Sequence, residues 1–135
     1  MVIDTSALVC IIKGEQEASL FLKLIRADQR RLISVVSIVE AGIVLEKRFG
    51  ATGSRELENA IQRLKLSVEP VDQEQGRAAL LAFWRFGRGL HPAGLNFGDC
   101  FTYALARMSS EPLLFKGEDF SQTDLRVVQV STNLP

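Results

Sequence analysis

Leu32-Ile-Ser-Val-Val36 runs directly into Ser37-Ile-Val-Glu40-Ala-Gly-Ile-Val-Leu45-Glu-Lys-Arg48, and this junction sets the architecture. The first stretch is short, apolar and rich in β-branched residues, which suits a buried strand. The second is apolar almost all round, through Ile38, Val39, Ala41, Ile43, Val44 and Leu45, and breaks at Gly50. It reads as a buried helix opened by Ser37. A strand that feeds at once into a helix is the unit from which parallel α/β sheets are built.

The alternation extends outward in both directions. Residues 1–3 are a short apolar run that stops at Asp4, and residues 5–13 read as a short helix before a glycine. In residues 15–28, Ala18, Phe21, Leu22 and Ile25 recur at helical spacing, as do Leu57, Ala60, Ile61 and Leu64 in residues 54–66. Residues 66–71 predict a strand, and Asp72 caps a helix reaching about Phe86. Residues 87–98 hold four glycines and a proline and predict a loop. A helix over 99–108, a strand over 113–115 and an edge strand over 126–130 complete the reading. The expectation is one α/β domain over residues 1–135, with a mainly parallel central sheet of four to five strands flanked by helices.

Composition narrows the function classes. With 47% hydrophobic and 24% charged residues in 135, the chain has the balance of a globular domain able to bury a core. No stretch approaches the roughly 20 apolar residues that span a bilayer, and no charged segment precedes an apolar run at the start, so neither membrane span nor signal peptide is expected. Cys10 and Cys100 lie in apolar neighbourhoods, which suits reduced core thiols and a cytoplasmic location. Sixteen basic residues balance sixteen acidic ones. A nucleic-acid ligand would therefore need basic groups gathered locally.

In open parallel sheets ligands bind beyond the carboxyl ends of the strands, and acids stand at those places. Asp4 follows the first strand, Glu40 stands early in the helix after the second, Asp99 opens the late helix, and Glu118 and Asp119 follow residues 113–115. Each also has a structural reading: Asp4 and Asp99 as helix caps, Glu40 as the partner of Ser37 in a capping box, Asp119 as a turn residue. Acids on buried helices are costly without a partner, and basic residues are scarce on these segments. A divalent cation is the economical partner. An all-oxygen set favours Mg²⁺ or Mn²⁺. One histidine, His91, and two cysteines far apart in sequence argue against zinc.

Four stretches then resemble one family. Val2-Ile-Asp4-Thr-Ser-Ala-Leu8, Ser37-Ile-Val-Glu40-Ala41, Gly89-Leu-His-Pro-Ala-Gly-Leu-Asn-Phe-Gly-Asp99-Cys-Phe-Thr-Tyr-Ala-Leu-Ala106 and Leu113-Leu-Phe-Lys-Gly-Glu-Asp119-Phe120 resemble, in order and spacing, PIN-domain ribonucleases of the VapC toxin type. The resemblance implies a metal-dependent endoribonuclease with Asp4, Glu40, Asp99 and Asp119 as the acidic set. It also implies a small VapB-type antitoxin whose tail fills the site, a homodimer and a toxin–antitoxin hetero-oligomer. For the fourth acid the chain offers Glu118, Asp119 and Asp124; Asp119 is favoured by its Asp-Phe pair.

Around that set, Ser6 is a candidate to support a ligand or phosphate and Asn96 to brace the loop. Arg85, Arg88 and Lys116 are candidates to neutralise RNA phosphates, or are ordinary solvated charges. Phe83, Trp84 and Phe86 read as core or dimer contacts. The rival readings are a PIN-fold binding module without activity, a receiver-type signalling domain and a haloacid-dehalogenase-like phosphatase. The last two want an Asp-Asp pair or Asp-x-Asp at the first strand, where this chain has Asp4-Thr-Ser6.

Overall fold

The computed structural model describes residues 1–130. Along the chain run β1 (Val2–Ile3), α1 (Thr5–Lys13), α2 (Ala18–Ala27), β2 (Leu32–Ser34), α3 (Val35–Phe49), α4 (Ala51–Arg63), β3 (Ser67–Glu69), α5 (Gln73–Phe86), α6 (Phe97–Ser109) and β4 (Leu113–Leu114). The four strands form one parallel sheet in the order β3-β2-β1-β4. The chain therefore builds outward from β1 through β2 to β3, then crosses back to lay β4 on the other side. The strand order reverses between β1 and β4, and the crevice of such a sheet opens there, beyond the strand ends.

The strands are short but separate two cores cleanly. Successive side chains on a strand point to opposite faces. Ile3, Ile33 and Leu114 accordingly join Leu8, Phe21, Ile25 and Leu45 under α1 to α4. Val2, Leu32 and Leu113 join Ala82, Phe86, Tyr103 and Leu105 under α5 and α6. β1, β4 and the start of β2 are buried on both faces and read as continuous apolar runs rather than alternating ones, whereas β3 at the sheet edge, Ser67–Glu69, is largely exposed. Arg31 ties the helix ends together: its guanidinium donates to the carbonyls of Arg26, Asp28 and Leu64.

Several boundaries differ from the sequence reading. β2 stops at Ser34, whose hydroxyl accepts from the Val36 amide and caps α3. Ser37 therefore lies inside the helix and no capping box forms with Glu40, which stands in the second turn. α3 is not buried all round: Val39 and Ile43 are 57% and 52% exposed. Only one flank packs on the sheet, and apolar character alone did not reveal which. α4 starts at Ala51, directly after Gly50, and α6 starts at Phe97, inside the expected loop. The expected edge strand over 126–130 reduces to a single bridge between Leu113 and Val127. Cys10 and Cys100 are buried free thiols, as expected.

Candidate active site

Asp4 leaves the end of β1 and caps α1. Its Oδ2 accepts from the Ser6 amide at 3.0 Å and the Ser6 hydroxyl at 2.7 Å. Its Oδ1 accepts from Thr102 Oγ1 on α6 at 2.8 Å. Ser6 is itself fixed by the Lys116 amide at 2.9 Å, so the segment after β4 is stitched to the segment after β1. Behind Thr102 stands Ser37 of α3, hydroxyl to hydroxyl at 3.2 Å, both fully buried. The Asp4 carboxylate is thus held by three hydrogen bonds, two from Ser6 and one from Thr102.

Asp99 sits in the first turn of α6, where Asn96 is the cap. Asn96 Oδ1 accepts from the Asp99 amide at 2.9 Å and Asp99 Oδ2 accepts from the Asn96 amide at 3.0 Å, a reciprocal capping box. Asp99 is 8% exposed and Asp4 5%. Burial pushes the Asp99 carboxyl up to about 7, opposed by the Asn96 amide and reinforced by the negative charges of Asp4, Asp119 and Glu40. Glu40, on α3, is also raised, by burial and by Asp4, against a 2.8 Å hydrogen bond from Thr5.

The four acids expected from sequence therefore share one electrostatic neighbourhood at the mouth between β1 and β4. Among the described residues no lysine or arginine forms an ion pair with Asp4, Glu40, Asp99 or Asp119. Nor, among them, do any three His, Cys, Asp or Glu side chains gather closely enough to form a ready ion cage. The first fact leaves the carboxylates uncompensated; the second follows from their mutual repulsion and from the separate local hydrogen bonds that hold Asp4, Glu40 and Asp99. Asp119 stays at the exposed rim.

The other candidates separate. Asp124 accepts from Tyr103 Oη at 2.6 Å and pairs with Arg85 and Arg107, a surface brace away from the acids. Glu118 is exposed and faces Ser121. Lys116 Nζ is held by Glu15 and Glu17, and Arg85 lies over the Phe86 ring. Arg88 is exposed without an ion-pair partner among the described residues. His91 Nδ1 accepts from the Ala93 amide within its own loop, which suits the structural role expected for it. Phe86 is a core residue, whereas Trp84 is 59% exposed.

Sequence reasoning missed Thr5, Gly98 and Thr102. Thr102 had a signal, since it stands one turn after Asp99 on the same helix face. Gly98 had none, because its meaning depends on a side chain 58 positions away.

The donor set fits a hard cation: carboxylates and hydroxyls surround the mouth, and burial holds the Cys100 thiol up to about 11, far from thiolate.

The PIN domain model matches residues 1–125. The chain belongs to the PIN-domain family. It is 50% identical to a ribonuclease VapC of Mycolicibacterium smegmatis, covering 95% of this chain and 99% of the relative. It is 48% identical to ribonuclease VapC30 of Mycobacterium tuberculosis, covering 95% and 98%. Among solved structures it resembles the sarcin–ricin-loop-cleaving toxin VapC20 of M. tuberculosis, with TM-score 0.75 and 19% identity over 94% of this chain and 97% of that one. It also resembles a chain of a toxin–antitoxin complex from Klebsiella pneumoniae, with TM-score 0.69 and 17% identity over 94% and 95%. The PIN-type α/β fold and VapC kinship expected from the four motifs are met. No helix among the described residues is long and apolar enough to cross a membrane.

Proposed function

We propose that this VapC-type ribonuclease is a toxin that cuts RNA internally with Mg²⁺, or Mn²⁺ in its place, held by Asp4 and Asp99, with Glu40 and Asp119 completing the acidic set. The observation that carries the reading is the burial of both Asp4 and Asp99, with the charge of Asp4 acting on Asp99 and no ion-pairing lysine or arginine on either among the described residues. Two such carboxylates are unfavourable neighbours in a protein that never binds a cation.

A bound Mg²⁺ supplies a polarised phosphoryl oxygen and a more acidic water. The side chains do the rest. Ser6 and Thr102 orient Asp4, Thr5 orients Glu40, and the Asn96 amide fixes Asp99. Arg88 meets the RNA phosphates first, because Arg85 and Lys116 must leave carboxylate partners to do so.

A VapB-type antitoxin restrains this site in a toxin–antitoxin hetero-oligomer, and the protein acts in the cytoplasm. Exposed apolar side chains on α3 (Val39, Ile43) and α5 (Leu80, Leu81, Trp84) support assembly as a homodimer, which light scattering measures. The decisive test incubates purified protein with structured RNAs in Mg²⁺, in Mn²⁺ and in EDTA. Internal cleavage in metal, none in EDTA and none by Asp99→Asn is the expected result. RNA that is retained but uncut under every condition identifies a binding module instead.

A further inference from the structure

We infer that Gly98 is a positioning residue for Glu40: the missing side chain in the first turn of α6 leaves the notch in which the Glu40 carboxylate rests. A Cβ built at Gly98 would lie far inside contact distance of Glu40 Cδ, Oε1 and Oε2 together. Gly98 is buried and its neighbours on α6 are the acid Asp99 and, one turn on, Thr102. α3 meets α6 along one line, with Ser37 opposite Thr102 and Glu40 opposite Gly98.

The fold does not otherwise ask for glycine here. No positive φ is recorded at Gly98, and a helical glycine is worth about 0.5–1 kcal/mol less than alanine. The clashing atoms are the far end of a flexible side chain rather than backbone. Alanine at 98 would therefore leave the fold in place and push the Glu40 carboxylate off α6, away from Asp99. The notch serves the approach of the third acid, not the packing of the helix.

The role rests on the metal-dependent reading above, and the experiment separates the two. Gly98→Ala, Glu40→Ala and the double variant are melted in EDTA, with Gly76→Ala on α5, where a Cβ meets nothing within 4 Å, as the control for helix propensity. Mn²⁺ affinity of each is measured by electron paramagnetic resonance, and RNA cleavage alongside. The expected result is that Gly98→Ala raises Tm in the Glu40→Ala background, as Gly76→Ala does in the wild type, but not when Glu40 is present. Gly98→Ala should also weaken Mn²⁺ binding about tenfold or more, and add no further loss to Glu40→Ala. Wild-type affinity and cleavage in Gly98→Ala, or equal Tm changes in both backgrounds, overturns the role. Wild-type protein that binds no Mn²⁺ overturns the metal reading alone, because the coupling in EDTA still decides whether the notch holds Glu40.

Discussion

Thr102 Oγ1 donates to Asp4 Oδ1 at 2.8 Å, joining α6 to the end of β1 across 98 residues of sequence. Thr102 also meets Ser37, so one buried hydroxyl connects three elements that each carry an acid. Replacing it with valine keeps the shape and leaves Asp4 and Ser37 each short of a partner. Thr102→Val should cost about 1–3 kcal/mol in urea denaturation and lower cleavage, while Thr102→Ser recovers most of both. Unchanged stability in Thr102→Val would mean that water replaces the hydroxyl.

The two buried aspartates should respond differently to amidation. Asp4 accepts three hydrogen bonds on its two oxygens, and an amide turns one of those acceptors into a donor. Asp99 accepts one, from the Asn96 amide, which an asparagine oxygen also satisfies. In EDTA at pH 8, Asp4→Asn should lose about 1–2 kcal/mol, whereas Asp99→Asn should melt as high as the wild type or higher. Both should abolish cleavage. Equal large losses would make both acids structural caps first.

The pH dependence of the metal-free protein follows from Asp99. Its carboxyl is pushed from an ordinary 3.8 to about 7. Between those values the folded state holds a proton that the unfolded chain has released, so stability falls as pH rises. The favourable contribution is complete below about pH 4 and gone above about 7. Melting in EDTA from pH 5 to 8 should show this decline, and Asp99→Asn should flatten it. Mg²⁺ should restore stability most at the alkaline end, because the cation competes with that proton.

Asn96 gives a cap-specific test. Its side chain satisfies the Asp99 amide, so Asn96→Ala should cost about 1 kcal/mol. Asp99 Oδ2 keeps its bond to the backbone amide of residue 96, so Mn²⁺ binding should weaken only as far as the helix start loosens, whereas Asn96→Ser should keep most of both. Chemical denaturation and metal titration read the two effects separately.

Arg88→Ala should weaken RNA binding across sequences and reduce the salt slope of log Kd by about 1. Lys116→Ala should leave that slope near the wild-type value, because Lys116 is engaged by Glu15 and Glu17. A salt titration of catalytically silent Asp99→Asn carrying each change distinguishes them.

Much of this was legible in the chain itself. The short apolar runs over residues 1–3 and 32–36 read as buried strands, and helical spacing between them points to a parallel sheet covered on both faces. Acids after those strands then fall at the open end of the sheet by topology alone. The sequence could not show that Ser34, not Ser37, caps α3, because either hydroxyl satisfies the local rule and packing chose between them. Nor could it show that α3 leaves Val39 and Ile43 in solvent, since a helix apolar all round carries no mark of its inward side. The pairing of Thr102 with Asp4, the seat of Glu40 on Gly98 and the loss of Lys116 to Glu15 and Glu17 came only with the tertiary structure. Periodicity and capping act over a few residues, whereas these contacts join side chains brought together only where α3 meets α6 and where the segment after β4 returns to β1 and to the turn between α1 and α2.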